Sequence, residues 1–251
     1  MISTIVRRSF LIVTTVLALG LAAWGQCSDA NVTGKYGFAV SGLDKNGNPI
    51  GLLGYFKADG KGTFKGTETG SDDGTVFTNL TLTGTYSINS DCTGSGTAKL
   101  KGQKGTNHFN LVVVSSGKSL QILSTDAPNV QAGAAQAEGK ETCTLAGITG
   151  SFGVEASGVF IGTGAVALDG LLAFDGKGGI TGTVSGSIAG TIFTGQSVSG
   201  TYTVASNCTG TTSFSLLGQT LNASFVATNA GKSLLVLETD TGTVISGFGQ
   251  Q

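Results

Sequence analysis

The chain repeats itself at a fixed offset, and that constrains its fold more than any other feature. Cys27 and Cys143 lie 143 − 27 = 116 residues apart, and Cys92 and Cys208 lie 208 − 92 = 116 apart. Between these anchors Asp59-Gly-Lys-Gly62 recurs as Asp175-Gly-Lys-Gly178, and Thr83-Gly-Thr-Tyr86 recurs as Ser199-Gly-Thr-Tyr202. Self-similarity at one period sets the number of folding units before any local reading begins. It also supplies an internal comparison, because what both copies keep is what one unit needs. They keep turn glycines, alternating apolar residues and cysteines, and no catalytic set.

The first residues, Met1-Ile-Ser-Thr-Ile-Val-Arg-Arg8, carry two positive charges and no acid, and an apolar run from Phe10 to Ala23 follows. Charge, apolar run and small residues in that order are those of a secretory signal peptide. Residues 1–25 are predicted to be that peptide, with cleavage after Gly25, followed by units at 26–140 and 141–251. An uncleaved anchor is the competing reading, but the run is short of the roughly 20 residues a membrane span needs. Lipidation at Cys27 is disfavoured, because Gln26 precedes it and its counterpart Cys143 lies mid-chain.

Four cysteines in an exported chain imply disulfides. The repeat favours Cys27–Cys92 and Cys143–Cys208, which enclose equal intervals, 92 − 27 = 65 and 208 − 143 = 65. The crossed alternative joins Cys92 to Cys143 and Cys27 to Cys208.

Glycine makes up 42 of 251 residues without a three-residue period, so the chain is not collagen-like. With 2 prolines and 39% hydrophobic residues it is not a disordered linker. Charged residues are 12% and net charge is −1, which leaves no basic patch for nucleic acid. Between glycine turns, apolar and polar residues alternate, as in strands with one buried face. In the first copy this predicts strands at 35–41, 52–58, 62–69, 80–88, 96–100, 108–114, 119–125 and 130–137. Tyr36, Phe38 and Val40 share a face, as do Leu82, Gly84, Tyr86 and Ile88. No amphipathic helix interrupts them.

The fold class is therefore all-β: two tandem homologous antiparallel units, each an eight-stranded up-and-down β-barrel, with β-sandwich units as the alternative. In an up-and-down order Cys27, before the first strand, and Cys92, after the fourth, fall at the same end of the barrel.

The recurring motifs are Gly34-Lys-Tyr-Gly-Phe38, Asp59-Gly-Lys-Gly62 and Gly84-Thr-Tyr-Ser-Ile88. On these the chain resembles uncharacterised exported bacterial β-repeat proteins, and its general plan resembles avidin-like and lipocalin-like barrels. The resemblance covers both copies but rests on turns and core positions. It implies a fold and transfers no ligand-binding residue.

The single histidine, His108, aligns at the constant offset with Ser224, so a histidine-dependent triad cannot be shared by the copies. No metal site is expected, since the cysteines are accounted for and histidines do not cluster. The Asp44-Lys-Asn-Gly-Asn48 segment lacks the glycine and glutamate of a calcium loop and reads as a hairpin. Asp59 and Asp175 read as turn residues. Glu238 and Asp240 share a face, but Ser124 replaces Glu238 in the first copy, which weakens a paired-carboxylate reading.

Four polar residues kept in both copies remain as ligand or rim contacts: Asp126 and Asp240, which end the strand after Gly-Lys-Ser-Leu, and the inward-phased Tyr86 and Tyr202. Strand-end capping and core filling are the competing roles.

The expectation is an exported, non-enzymatic repeat protein without a cofactor, secreted, periplasmic or at the cell surface. It would be a binding or structural module with an extracellular or cell-surface target. Alternatives are a small-ligand carrier using the barrel interiors and a secreted hydrolase. An outer-membrane barrel is disfavoured by short strands and outward Thr, Ser, Lys and Gly.

Overall fold

The computed structural model describes residues 26–139 and 142–251. The predicted signal peptide lies outside the described residues. Each copy forms a closed barrel of eight antiparallel strands. The first contains β1 (Thr33–Leu43), β2 (Pro49–Asp59), β3 (Thr63–Asp72), β4 (Thr75–Ile88), β5 (Thr93–Leu100), β6 (Asn107–Val114), β7 (Ser119–Ser124) and β8 (Val130–Ala137). The second contains β9 (Thr149–Phe160), β10 (Gly164–Asp175), β11 (Gly179–Ile188), β12 (Thr191–Val204), β13 (Thr209–Leu216), β14 (Gln219–Thr228), β15 (Ser233–Glu238) and β16 (Thr243–Gln250).

Sequential strands pair as hairpins, and β1 closes on β8 as β9 closes on β16. The β-sandwich alternative is excluded by that closure. Several strands are longer than alternation predicts: β1 has 11 residues and β4 has 14. The ladder is a backbone interaction, so it continues through Gly42 and Thr75 where the side-chain pattern has faded.

Both disulfides form within copies, Cys27–Cys92 and Cys143–Cys208, each with a Cα–Cα distance of 4.9 Å. They mark an oxidising, extracytoplasmic environment. Among the described residues no helix is long and apolar enough to cross a membrane. Each disulfide sits at the base of its barrel beside a 3-10 turn, Asp29–Asn31 in the first and Leu145–Gly147 in the second. The Tyr86 hydroxyl donates to the Val32 carbonyl at 2.6 Å, and Tyr202 donates to Ile148 at the same distance. These buried hydrogen bonds tie the fourth strand of each barrel to the turn that seals its base.

The barrels pack side by side. Leu53 of β2 faces outward from the first barrel and is 2% exposed, because it meets Val226, Leu235 and Leu237 of the second. Gly37 of β1 lies flush against this surface: a Cβ there would come within 2.6 Å of Val226 and 2.7 Å of Thr228. Near the rims the Gly242 N–H donates to the Gly74 carbonyl at 2.8 Å, and near the bases Ala230 donates to Glu138. The two axes are thus aligned in the same sense.

Candidate functional site

The two interiors differ. At the base of the first barrel Tyr36 stacks on Phe56 with ring centroids 5.2 Å apart, and Phe56 packs against Phe64 at 5.2 Å. Between these rings and the rim opposite the disulfide lies a cavity of about 350 Å³. Phe38, Phe77, Leu82, Phe109 and Ile122 supply apolar wall, while Asp44, Lys45, Gln103 and Asn107 stand toward the rim. Ligand chambers run from about 300 to 1,000 Å³, mostly apolar with a few polar groups, and this one falls at the small end of that range.

Set into the wall is Glu68 of β3, which is 7% exposed. Its cross-strand neighbours are Gly54 on β2 and Leu80 on β4, neither of which can pair with a carboxylate through its side chain. Burial pushes the Glu68 carboxyl up to about 7, and no opposing interaction pulls it back. A carboxyl buried without a partner is costly to a fold and needs a reason.

The second barrel gives no structural reason for it. Val184 pairs with Gly170 as Glu68 pairs with Gly54, so it occupies the equivalent position. Leu221 stands where the first barrel has Asn107, and Ile245 where it has Gln131. Val184, Val198 and Leu216 form a buried cluster with Phe193, Phe214 and Leu221 packed on it. Apolar side chains therefore fill in the second copy the level that is hollow and polar-edged in the first.

The strand-end acids act as caps. Asp126 accepts the His108 backbone N–H at 2.6 Å, with its other oxygen 2.8 Å from His108 Nδ1. Asp240 accepts the Asn222 backbone N–H at 2.7 Å and the Asn222 side-chain amide at 2.8 Å. The equivalent of His108 is thus Asn222, not Ser224. Between Leu100 and Asn107 the first copy has two more residues than the second has between the equivalent Leu216 and Leu221, which changes the offset from 116 to 222 − 108 = 114. Because an amide makes the same interaction, it does not depend on an imidazole. The His108 N–H holds the Asp126 carboxyl below its usual range. Asp126→Ala and Asp240→Ala should each cost about 1–2 kcal/mol, measured by urea denaturation, as loss of a solvent-exposed carboxylate cap with one backbone and one side-chain contact does.

Tyr86 lines the floor of the cavity, but its hydroxyl is committed to Val32, and Tyr202 has the same commitment in the filled barrel. Asp59 is a turn residue: its carboxylate accepts the N–H groups of Thr63 and Lys61, which pull it down to about 2. Asp175 accepts those of Gly179 and Lys177 in the same way. Asp44 is likewise held by the backbone of Asn46 and Asn48. Glu238 faces Asp240 and is pushed up to about 7 by burial and then by that neighbour, in the barrel whose interior is filled. Among the described residues no three His, Cys, Asp or Glu side chains are grouped to hold a metal ion.

No protein-family model and no curated protein matches the chain. Among solved structures, that of a "putative AttH" from Nitrosomonas europaea is similar at 10% identity, over 86% of this chain and 92% of that one, with a TM-score of 0.25.

Proposed function

We propose that this is an exported, non-enzymatic bacterial protein that binds a small, largely apolar ligand inside its first barrel, the second barrel serving as a structural partner. The observation carrying this reading is the contrast between the copies. One scaffold is filled at the level of Val184, and its duplicate keeps about 350 Å³ of lined space at the level of Glu68. Export is supported by the order of residues 1–25 and by the two disulfides. Outward positions of β4 and β5 such as Thr83, Thr85, Ser95 and Thr97 support a barrel surrounded by water rather than lipid.

The test is to fill the chamber with the residues of its own duplicate. An environment-sensitive apolar dye should bind the wild-type protein and gain fluorescence. The quadruple variant Glu68→Val, Ala98→Phe, Asn107→Leu, Gln131→Ile should bind it roughly tenfold or more weakly, because Phe214, which pairs with Gly200 as Ala98 pairs with Gly84, brings most of the volume that fills the second barrel. Equal binding by both proteins, with the variant folded by circular dichroism, would reject the chamber.

A further inference from the structure

We propose that the ligand of the first barrel is an amphiphilic amine, an apolar body bearing one ammonium group, and that Glu68 is its counter-ion. This rests on the reading of that barrel as a ligand chamber, and it assigns the head-group chemistry.

Four observations converge on it. Glu68 is 7% exposed, lines the cavity and has Gly54 and Leu80 as cross-strand neighbours, so its pairing capacity is directed at whatever occupies the space. The second barrel folds with Val184 in its place, so the carboxyl serves something other than closing a barrel. Phe38, Phe56, Phe64, Phe77 and Phe109 all line the same cavity, and aromatic faces attract cations through the ring quadrupole. At the rim Asp44 and Asp72 outnumber Lys45 among the lining residues, so an approaching cation is favoured and an anion disfavoured. An anionic head group would meet a carboxylate in a desolvated pocket, and like charges there are strongly unfavourable.

Binding such a ligand requires the ionised carboxylate, and the proton that Glu68 holds at lower pH is released to solvent. The other ionisable groups lining the chamber are Asp44 and Lys45 of the β1–β2 loop, Asp72 at the end of β3, Tyr86 of β4 and His108 of β6. Strands β1, β2, β5, β7 and β8 contribute none to that lining. With Glu68 titrating at about 7, affinity for the ammonium form should rise as the solution goes from pH 5 to pH 8. The limiting increase from this one group is on the order of a hundredfold.

The experiment is calorimetric titration of the wild-type protein with three matched straight-chain probes, octylammonium, octanol and octanoate. The expected order is octylammonium, then octanol, then octanoate, with the ammonium at least roughly tenfold tighter than the alcohol at pH 8. In Glu68→Gln that preference should collapse, octanol then binding at least as tightly as octylammonium, in a protein shown to be folded by far-UV circular dichroism. The pH dependence of octylammonium binding should vanish with it.

Octanoate binding as tightly as octylammonium, or a preference surviving in Glu68→Gln, overturns the amine assignment and leaves the chamber standing. Octanol binding best at pH 5 and losing affinity toward pH 8 also overturns it, in favour of a neutral acceptor held by protonated Glu68. Failure of all three probes overturns the chamber reading, and the amine assignment falls with it.

Discussion

Replacing Glu68 by glutamine should make the empty protein more stable at pH 8 by about 3 kcal/mol and leave it almost unchanged at pH 4. The sign follows from where the carboxyl titrates. Its ordinary value is 4.5, and burial raises it to about 7 in the folded barrel. Below pH 4.5 the group is neutral in both states and contributes no difference. As pH rises from 4.5 toward 7 the unfolded chain ionises while the folded chain resists, so folded stability falls. Above 7 the loss is complete and constant. Glutamine has nearly the same shape and no charge, so it removes that loss. Urea denaturation followed by far-UV circular dichroism at the two pH values reads the difference directly. A stability gain of the same size at both pH values would attribute the effect to packing and refute the buried charge. A residue that weakens its own fold yet confers a preference on its cavity is the pattern that stability–function trade-offs produce.

Removing the disulfide of the second barrel, with Cys143→Ala and Cys208→Ala together, should destabilise that barrel by about 4 kcal/mol. The two cysteines are 65 residues apart, so the bond closes a large loop in the unfolded chain and restricts it accordingly. Cys208 is fully buried and Cys143 nearly so, so the packing of their sulfur atoms is lost as well. The measurement is the shift in urea midpoint against wild type under non-reducing conditions. A change below about 1 kcal/mol would mean that the base is held by Tyr202 and its turn alone.

Much of this architecture is legible in the residues because a barrel has one rule for each strand: alternate residues point inward. The phase through Tyr36, Phe38 and Val40, and that through Leu82, Tyr86 and Ile88, survive in the folded chain as cavity floor and wall. The cysteine pairing is legible for a related reason, since hairpin order places Cys27 and Cys92 at one end.

What is not legible follows from the same rule applied too strictly. Glu68 sits on the inward phase of Phe64, and its duplicate is Val184. A charge where the duplicate has an apolar residue carries the signal, and it falls outside the polar residues that the two copies share. The face between barrels was marked by Leu234-Leu-Val-Leu237, apolar on both phases, where the first copy has Leu120-Gln-Ile-Leu123. A strand buried on both sides loses alternation. The counterpart of His108 does not follow from a constant offset, because the chain between β5 and β6 is longer in the first copy.

The contact between the duplicates has a mechanical consequence for the chamber. Phe38 and Leu52 line it from β1 and β2, and those same strands turn Ala39, Leu53 and Tyr55 onto the neighbouring barrel. One side of the chamber is thereby clamped from outside, whereas β5 and β6 present Ser95, Thr97 and Val112 to solvent. The second barrel thus holds the first like a fixed jaw along β1 and β2, and any widening of the cavity is expected on the side of β5 and β6.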